Sequence, residues 1–404
     1  MIRTLTASVA AALAVALLPG TPATAAALPL GDSDLAETRT TQRLADGVTL
    51  TRIVRGTEPA PADQINTTTR GPWVVNVLTI DPRKTRGHLA ATYGPDLAGV
   101  ETTSALGAAS HALAAVNASF FTFTASTQYP GDPVGLGLYD GKLLSEPTTD
   151  PAEVNLLVDG ERNKVTMGKL TWTGRVRDVP LEFINHPPVV PAACAAQADQ
   201  TLCAEPGDTV RFTPEFDEAT PSGPGVEVVF NRRGCVTRTL TTRGTTLQAW
   251  ETSVQATGAD TVAVLKLAGG GCSTTRLTLS DENGKRVPLR PGMFAVNGRY
   301  RLTAGGEIVV PAGEGSFFAR NPRSIAGTTA RGEIVLATLD GRMTTSVGTT
   351  MDETAAVAHA LGLTDAINLD GGGSTAMAVR GALVNTPSGG AERAVGDALI
   401  FRNR

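Results

Sequence analysis

The sequence predicts an α+β fold: mixed, largely antiparallel, hairpin-rich sheets with a few helices, forming one principal domain. Three observations lead there. Dipeptides suited to tight type I′ turns recur between apolar runs, at Asp140-Gly141, Asp159-Gly160, Asn283-Gly284, Asn297-Gly298 and Asp340-Gly341. Short β-branched pieces such as TVRFTPEF, VEVVF and TVAVLKL read as strands. Only two stretches carry a helical signal.

Taken in order, residues 1–27 have the build of a secretory signal peptide. Arg3 precedes an apolar run from Val9 to Leu18, a break at Pro19-Gly20, and an Ala-x-Ala pattern that places cleavage between Ala25 and Ala27. Removing this segment takes away Arg3 and moves the formal net charge from -4 to -5. No other apolar run is long enough to span a bilayer. The expectation is an exported, soluble protein without the basic footprint of a nucleic-acid binder.

Residues 28–70, polar and threonine-rich, read as an N-terminal arm that leads into the main domain, 71–404. The first helical stretch runs from about Thr103 to Ala114 and leads into AAVNASFF. The region 161–290 reads as a middle subdomain and holds all four cysteines, Cys194, Cys203, Cys235 and Cys272. Export permits disulfides. Pairing neighbours closes the shorter loops and gives Cys194 with Cys203 and Cys235 with Cys272. The rival zinc reading has no Cys-x-x-Cys, and the histidines His88, His111, His186 and His359 are scattered.

The second helix follows Thr350-Met-Asp-Glu353, a capping box, and ends at Gly362 as its C′ residue. It runs into INLDGGGSTAMAV, residues 367–379. Alternation there places Ile367 and Leu369 on the core face, with Asn368 and Asp370 projecting together at the mouth of a glycine loop, followed by Ser374. Such a loop can aim backbone N–H groups at an anion. The plainer reading is that Asp370 caps a turn. Walker and Rossmann patterns are missing, which leaves nucleotide readings weak, and without G-x-S-x-G or H-E-x-x-H serine hydrolysis and zinc proteolysis are set aside. Neither a cofactor nor a metal is called for by any spacing. In a second cluster, Asn321-Pro-Arg-Ser-Ile-Ala-Gly327, Arg323 is expected in a turn before a hairpin made by GEIVLATL and MTTSV. A guanidinium so placed can grip a phosphate or carboxylate with two parallel bonds.

NASFF, GDPVGLGLYDGKL, NPRSIAGTTARGEIVLATLDGR, TAAVAHALG and INLDGGGSTAMAVRGALVNTPSGGAERAVGDALIF together resemble the phosphodiester glycosidase domain, from about Trp73 to Phe401. That is the domain of the mannose 6-phosphate uncovering enzyme and of exported bacterial relatives. The family's Asn-Gly-Gly-Phe-Phe reads here Asn117-Ala-Ser-Phe-Phe121, which puts the substrate more in question than the reaction. The resemblance implies hydrolysis of a sugar-1-phosphodiester between the anomeric carbon and the phosphate oxygen. It nominates Asp370 as catalytic carboxylate with Glu392 second, and Arg323 with the N–H groups of Gly371, Gly372 and Gly373 to hold phosphate. Asn117, Asn368 and Ser374 would orient sugar hydroxyls or water. Phe120, Phe121 and Tyr129 could wall the sugar. Two other functions fit the same residues: a different glycan hydrolase or lyase, or a non-catalytic carbohydrate-binding or exopolysaccharide-assembly protein.

Overall fold

The computed structural model describes residues 26–403. Twenty-five of the residues assigned to the signal peptide lie outside it. The first two described leucines, Leu28 and Leu30, are buried beneath the largest sheet. Arg55 fixes the chain there by donating from Nε to the Leu30 carbonyl at 2.6 Å.

That sheet runs in the order Glu37–Ala45, Val48–Arg55, Trp73–Ile80, Ile334–Leu339, Arg323–Thr329, Leu363–Asn368, Met293–Ala304, Gly137–Tyr139, Lys142–Ser145. Every pairing along this path is antiparallel. The N-terminal arm thus supplies an edge hairpin. One face packs on a second sheet, whose central strands are Ala114–Asn117 and Ala398–Arg402. Leu78, Ile367 and Leu369 meet Val116, Leu399 and Phe401 in this core. The other face carries helix α3 (Met351–Ala360) on Val75, Ile325 and Ala337. Fully burying each such aliphatic side chain contributes roughly 1.5–3 kcal/mol, so the register of Leu363–Asn368 is fixed from both faces. The protein is accordingly mostly β.

Helix α3 has the expected capping box. Thr350 accepts from the Glu353 N–H at 3.1 Å, and Glu353 accepts from the Thr350 N–H at 2.9 Å. Helix α1 (Thr103–Ala109) is shorter than expected. It stops because His111 takes φ 51° and Ala114 onward is claimed by the second sheet. TVAVLKL, expected as a strand, begins helix α2 (Thr261–Leu265), which buries Val264 against the adjacent sheet. Asn297-Gly298 is no turn and lies inside Met293–Ala304. Asn297 clamps the Phe120 backbone, accepting its N–H at 3.0 Å, and Gly298 leaves room for the Asn368 carbonyl. Arg323 likewise opens a strand, Arg323–Thr329, that pairs with Ile334–Leu339, whereas Met343 to Ser346 close a tight turn.

The middle region forms two further sheets, one centred on Leu170–Val176 and Thr275–Asp281, the other on Thr209–Phe212, Thr252–Ala256 and Val226–Phe230. Both disulfides join the neighbours, Cys194 to Cys203 and Cys235 to Cys272.

Candidate active site

Leu363–Asn368 delivers Ile367 and Leu369 to the core and Asn368 and Asp370 to the opposite side, as the alternation requires. There they line a cavity of about 280 Å³ with Phe120, Phe317, Arg323, Arg342, Arg393 and the three glycines. Asp370 is held at every group. Its N–H donates to the Ala118 carbonyl at 2.9 Å, and its own carbonyl accepts from Asn117 Nδ2 at 2.6 Å. Its carboxylate accepts from the Gly371 N–H at 2.9 Å and from the Ser374 hydroxyl. Burial nevertheless pushes this carboxyl up to about 6, against the pull of those donors and Arg393, with the negative Asp397 adding to the rise.

The glycine run has a physical cause within the protein. Gly372 sits at φ +60°, and a side chain on Gly373 would collide with the Arg393 guanidinium. The N–H of Gly371 goes to Asp370, and that of Gly372 to the Pro322 carbonyl at 2.8 Å. Two of the three N–H groups expected to face an anion are therefore committed inside the protein.

Several expected site residues turn out to position others. Asn117 is fully buried. Besides holding Asp370, its Oδ1 accepts from the Ser324 hydroxyl at 2.6 Å and the Ala376 N–H at 3.1 Å. It ties three segments together and has no side-chain atom left for a sugar. Ser374 is buried too, behind Asp370. Arg323 lines the cavity but is only 3% exposed, and it donates to the carbonyls of Thr349, Phe317 and Ala319 at 3.3, 2.7 and 2.8 Å. Glu392 turns away from the cavity and caps helix α1, accepting from the Ser104 N–H at 2.8 Å and its hydroxyl at 2.5 Å. Phe121 and Tyr129 are core residues, which leaves Phe120 as the cavity's aromatic from that group.

Asn368 keeps its expected place. It is 1% exposed, and its Oδ1 has no partner among the described residues, an unfilled acceptor at the cavity wall.

The sequence reading missed Arg342 and Arg393. Arg342, at φ 60°, is held by Asn321 Oδ1 at 2.7 Å. Arg393 lies over the Phe123 ring at 4.5 Å. Neither has a carboxylate ion-pair partner among the described residues. Burial lowers the affinity of Arg342 and Arg323 for their protons, and a neighbouring cation adds to it, Arg393 beside Arg342 and Arg342 beside Arg323. Both stand in the motifs already quoted, Arg342 in LDGR and Arg393 directly after Glu392. What marks them out is convergence in space, which spacing along the chain does not display.

One carboxylate facing mutually repelling arginines beside an open acceptor defines a pocket suited to an anionic, hydroxyl-bearing ligand. Residues 224–402 match the family model for phosphodiester glycosidase. The matched stretch contains every charged residue of the pocket. Among proteins of similar fold, a Burkholderia pseudomallei K96243 protein provisionally named as exported superposes with a TM-score of 0.79 at 27% identity, over 93% of this chain and 98% of that one. A hypothetical protein from Synechocystis gives 0.64 at 18% identity, over 91% of this chain and 64% of that one, a likeness of fold alone. The SPbeta prophage-derived uncharacterized protein YomE of Bacillus subtilis is 40% identical over 82 residues, 20% of this chain and 13% of that protein's length.

Proposed function

We propose that this protein is a secreted glycosidase that hydrolyses sugar-1-phosphodiester linkages in an extracellular or cell-surface glycan. The observation that carries the reading is the pairing, in one pocket of a phosphodiester glycosidase-family chain, of Asp370 with Arg342 and Arg393, whose charge no carboxylate among the described residues pairs. In this reading the arginines hold the phosphate and stabilise charge as it grows on the leaving oxygen. Water adds to the anomeric carbon, the carbon–oxygen bond to phosphate breaks, and the monoester departs with the electron pair. A phosphate monoester is already a weak base, so protonating it contributes less than in ordinary glycoside hydrolysis. Asp370, ionised above pH about 6, takes the proton from water. Asn368 Oδ1 accepts from a sugar hydroxyl, and Phe120 and Phe317 offer apolar faces to the ring. Export rests on the leader-like residues 1–27, the two disulfides and burial of Leu28 just beyond the expected cleavage site. Among the described residues no helix is long and apolar enough to cross a membrane.

The test is release of free sugar from methyl-phospho-N-acetylglucosamine by the purified protein, with Asp370→Asn alongside. Turnover should appear in the wild type and fall by at least about 1,000-fold in the variant while the fold is kept. Equal turnover by both would remove Asp370 from the mechanism. Failure of both on this substrate and on cell-wall phosphoglycans would favour a binding role.

A further inference from the structure

A second, larger cavity of about 720 Å³ lies away from Asp370, between the middle region and the hairpin Gly137–Tyr139/Lys142–Ser145. Its volume is in the range of ligand sites. Leu143, Leu144, Leu277 and Leu289 contribute apolar walls. On the rim Trp250 is 58% exposed, an unusual exposure for so large an aromatic.

The charged lining is unbalanced. Lys142 is paired with Glu215 at 2.6 Å, and Glu251 is paired with Arg238 at 2.6 Å. Arg211, Arg232 and Arg233 also line the cavity, and none has an ion-pair partner within 4.0 Å among the described residues. Arg211 goes further: its Nε is buried without any hydrogen-bond partner there. Leaving such a donor unmade is costly in a completed core, and a ligand atom would satisfy it.

The site is also held in shape. Arg232 and Arg233 occupy the turn from Asn231 to Gly234, closed by the Gly234 N–H on the Asn231 carbonyl at 2.8 Å. The Cys235–Cys272 disulfide anchors the next residue, and the Ser273 N–H reaches the Gly234 carbonyl at 2.6 Å. A turn whose backbone is already fixed has no loop to order on binding.

We infer that this groove is an accessory binding site for an acidic glycan chain, in which Trp250 stacks on a pyranose ring and Arg211, Arg232 and Arg233 hold its phosphate or carboxylate groups. Arginine forks match either anion, and a sugar ring presents to an indole the apolar face that stacking needs. The site needs no turnover at Asp370, so it stands or falls apart from the proposed reaction.

The experiment is affinity electrophoresis of the full mature protein through gels holding phosphomannan, polygalacturonate or dextran. Retention should be at least tenfold stronger on one or both acidic polymers than on neutral dextran, and which of them retains the protein identifies the anion. Trp250→Ala should weaken retention at least tenfold and Trp250→Phe should restore most of it. The Arg232→Ala/Arg233→Ala double variant should weaken it and flatten its salt dependence. Circular dichroism spectra and thermal melts of all three should match the wild type, which reports that they fold whether or not Asp370 turns over a substrate. Equal retention on dextran, no retention on any polymer, or indifference to Trp250→Ala would overturn the inference.

Discussion

The Asp370 pocket and the seam around His186 both bury carboxylates, and they resolve the burial differently. In the seam, Asp132 is 1% exposed and its Oδ2 meets His186 Nδ1 at 2.9 Å. Nearby Glu146 accepts the Ile184 N–H at 2.8 Å, and burial pushes its carboxyl up to about 7. The cation that answers these acids belongs to the protein and sits among them, with its own affinity for protons raised by Asp132. In the pocket, burial raises Asp370 just as surely, yet Arg342 and Arg393 line the same cavity with no carboxylate in ion-pair contact among the described residues. A seam that balances its own charge holds two regions together. A pocket that leaves charge over is prepared for something from outside.

The sharpest way to break this comparison is at the arginines. Arg393→Ala and Arg342→Ala should each raise KM for a sugar phosphodiester about 10–100-fold with the fold intact, since each removes a charge-assisted contact to the phosphate. Arg323→Ala should act mainly on thermal stability instead, because it strips donors from three carbonyls. If Arg323 alone governed KM, the pocket would have been assigned to the wrong guanidinium.

The seam should answer in stability. His186→Ala leaves Asp132 without its partner and, since the imidazole is partly exposed and screened by solvent, should cost about 1 kcal/mol at pH 6, read from denaturant midpoints. His186 is raised in the folded state, so its contribution is full below its unfolded value near 6.5 and is lost as pH rises through the folded value. The difference between wild type and variant should therefore shrink by pH 9.

Asp370→Asn should have the opposite sign. With the carboxyl raised from 3.8 to about 6, wild type is penalised for carrying the charge above pH 6 and is not below pH 4. The variant should be more stable by about 1–2 kcal/mol at pH 7.5, allowing for solvent in the pocket, and level with wild type near pH 4. Destabilisation at pH 7.5 would make Asp370 a seam-type residue after all.

The smallest effect belongs to Glu392→Gln. It weakens a helix cap and should cost about 0.5–1 kcal/mol in thermal melts, leaving turnover unchanged.

Much of this was legible along the chain because it depends on neighbours. The Thr350 capping box, the alternation that sends Asn368 and Asp370 away from Ile367 and Leu369, and the Cys194–Cys203 disulfide each involve residues close in sequence. Local rules failed where a distant partner set the conformation. Asn297-Gly298 has the letters of a turn, but strands on both sides hold it extended. TVAVLKL has the letters of a strand, yet it folds as a helix over the sheet that buries Val264.

The sequence by itself determined that a carboxylate would stand at the end of a core strand before a glycine loop, because strand period and backbone sterics act over a few residues. Only the tertiary structure decided which charges surround it. Asn117 and Glu392 became supports when their polar atoms met backbone groups 253 and 288 residues away. Arg342 and Arg393 became unpaired cations of the pocket because the fold brings them there without an ion-pair carboxylate among the described residues. Whether a polar group is satisfied is a property of its surroundings in space, and those surroundings exist only once the sheets have packed.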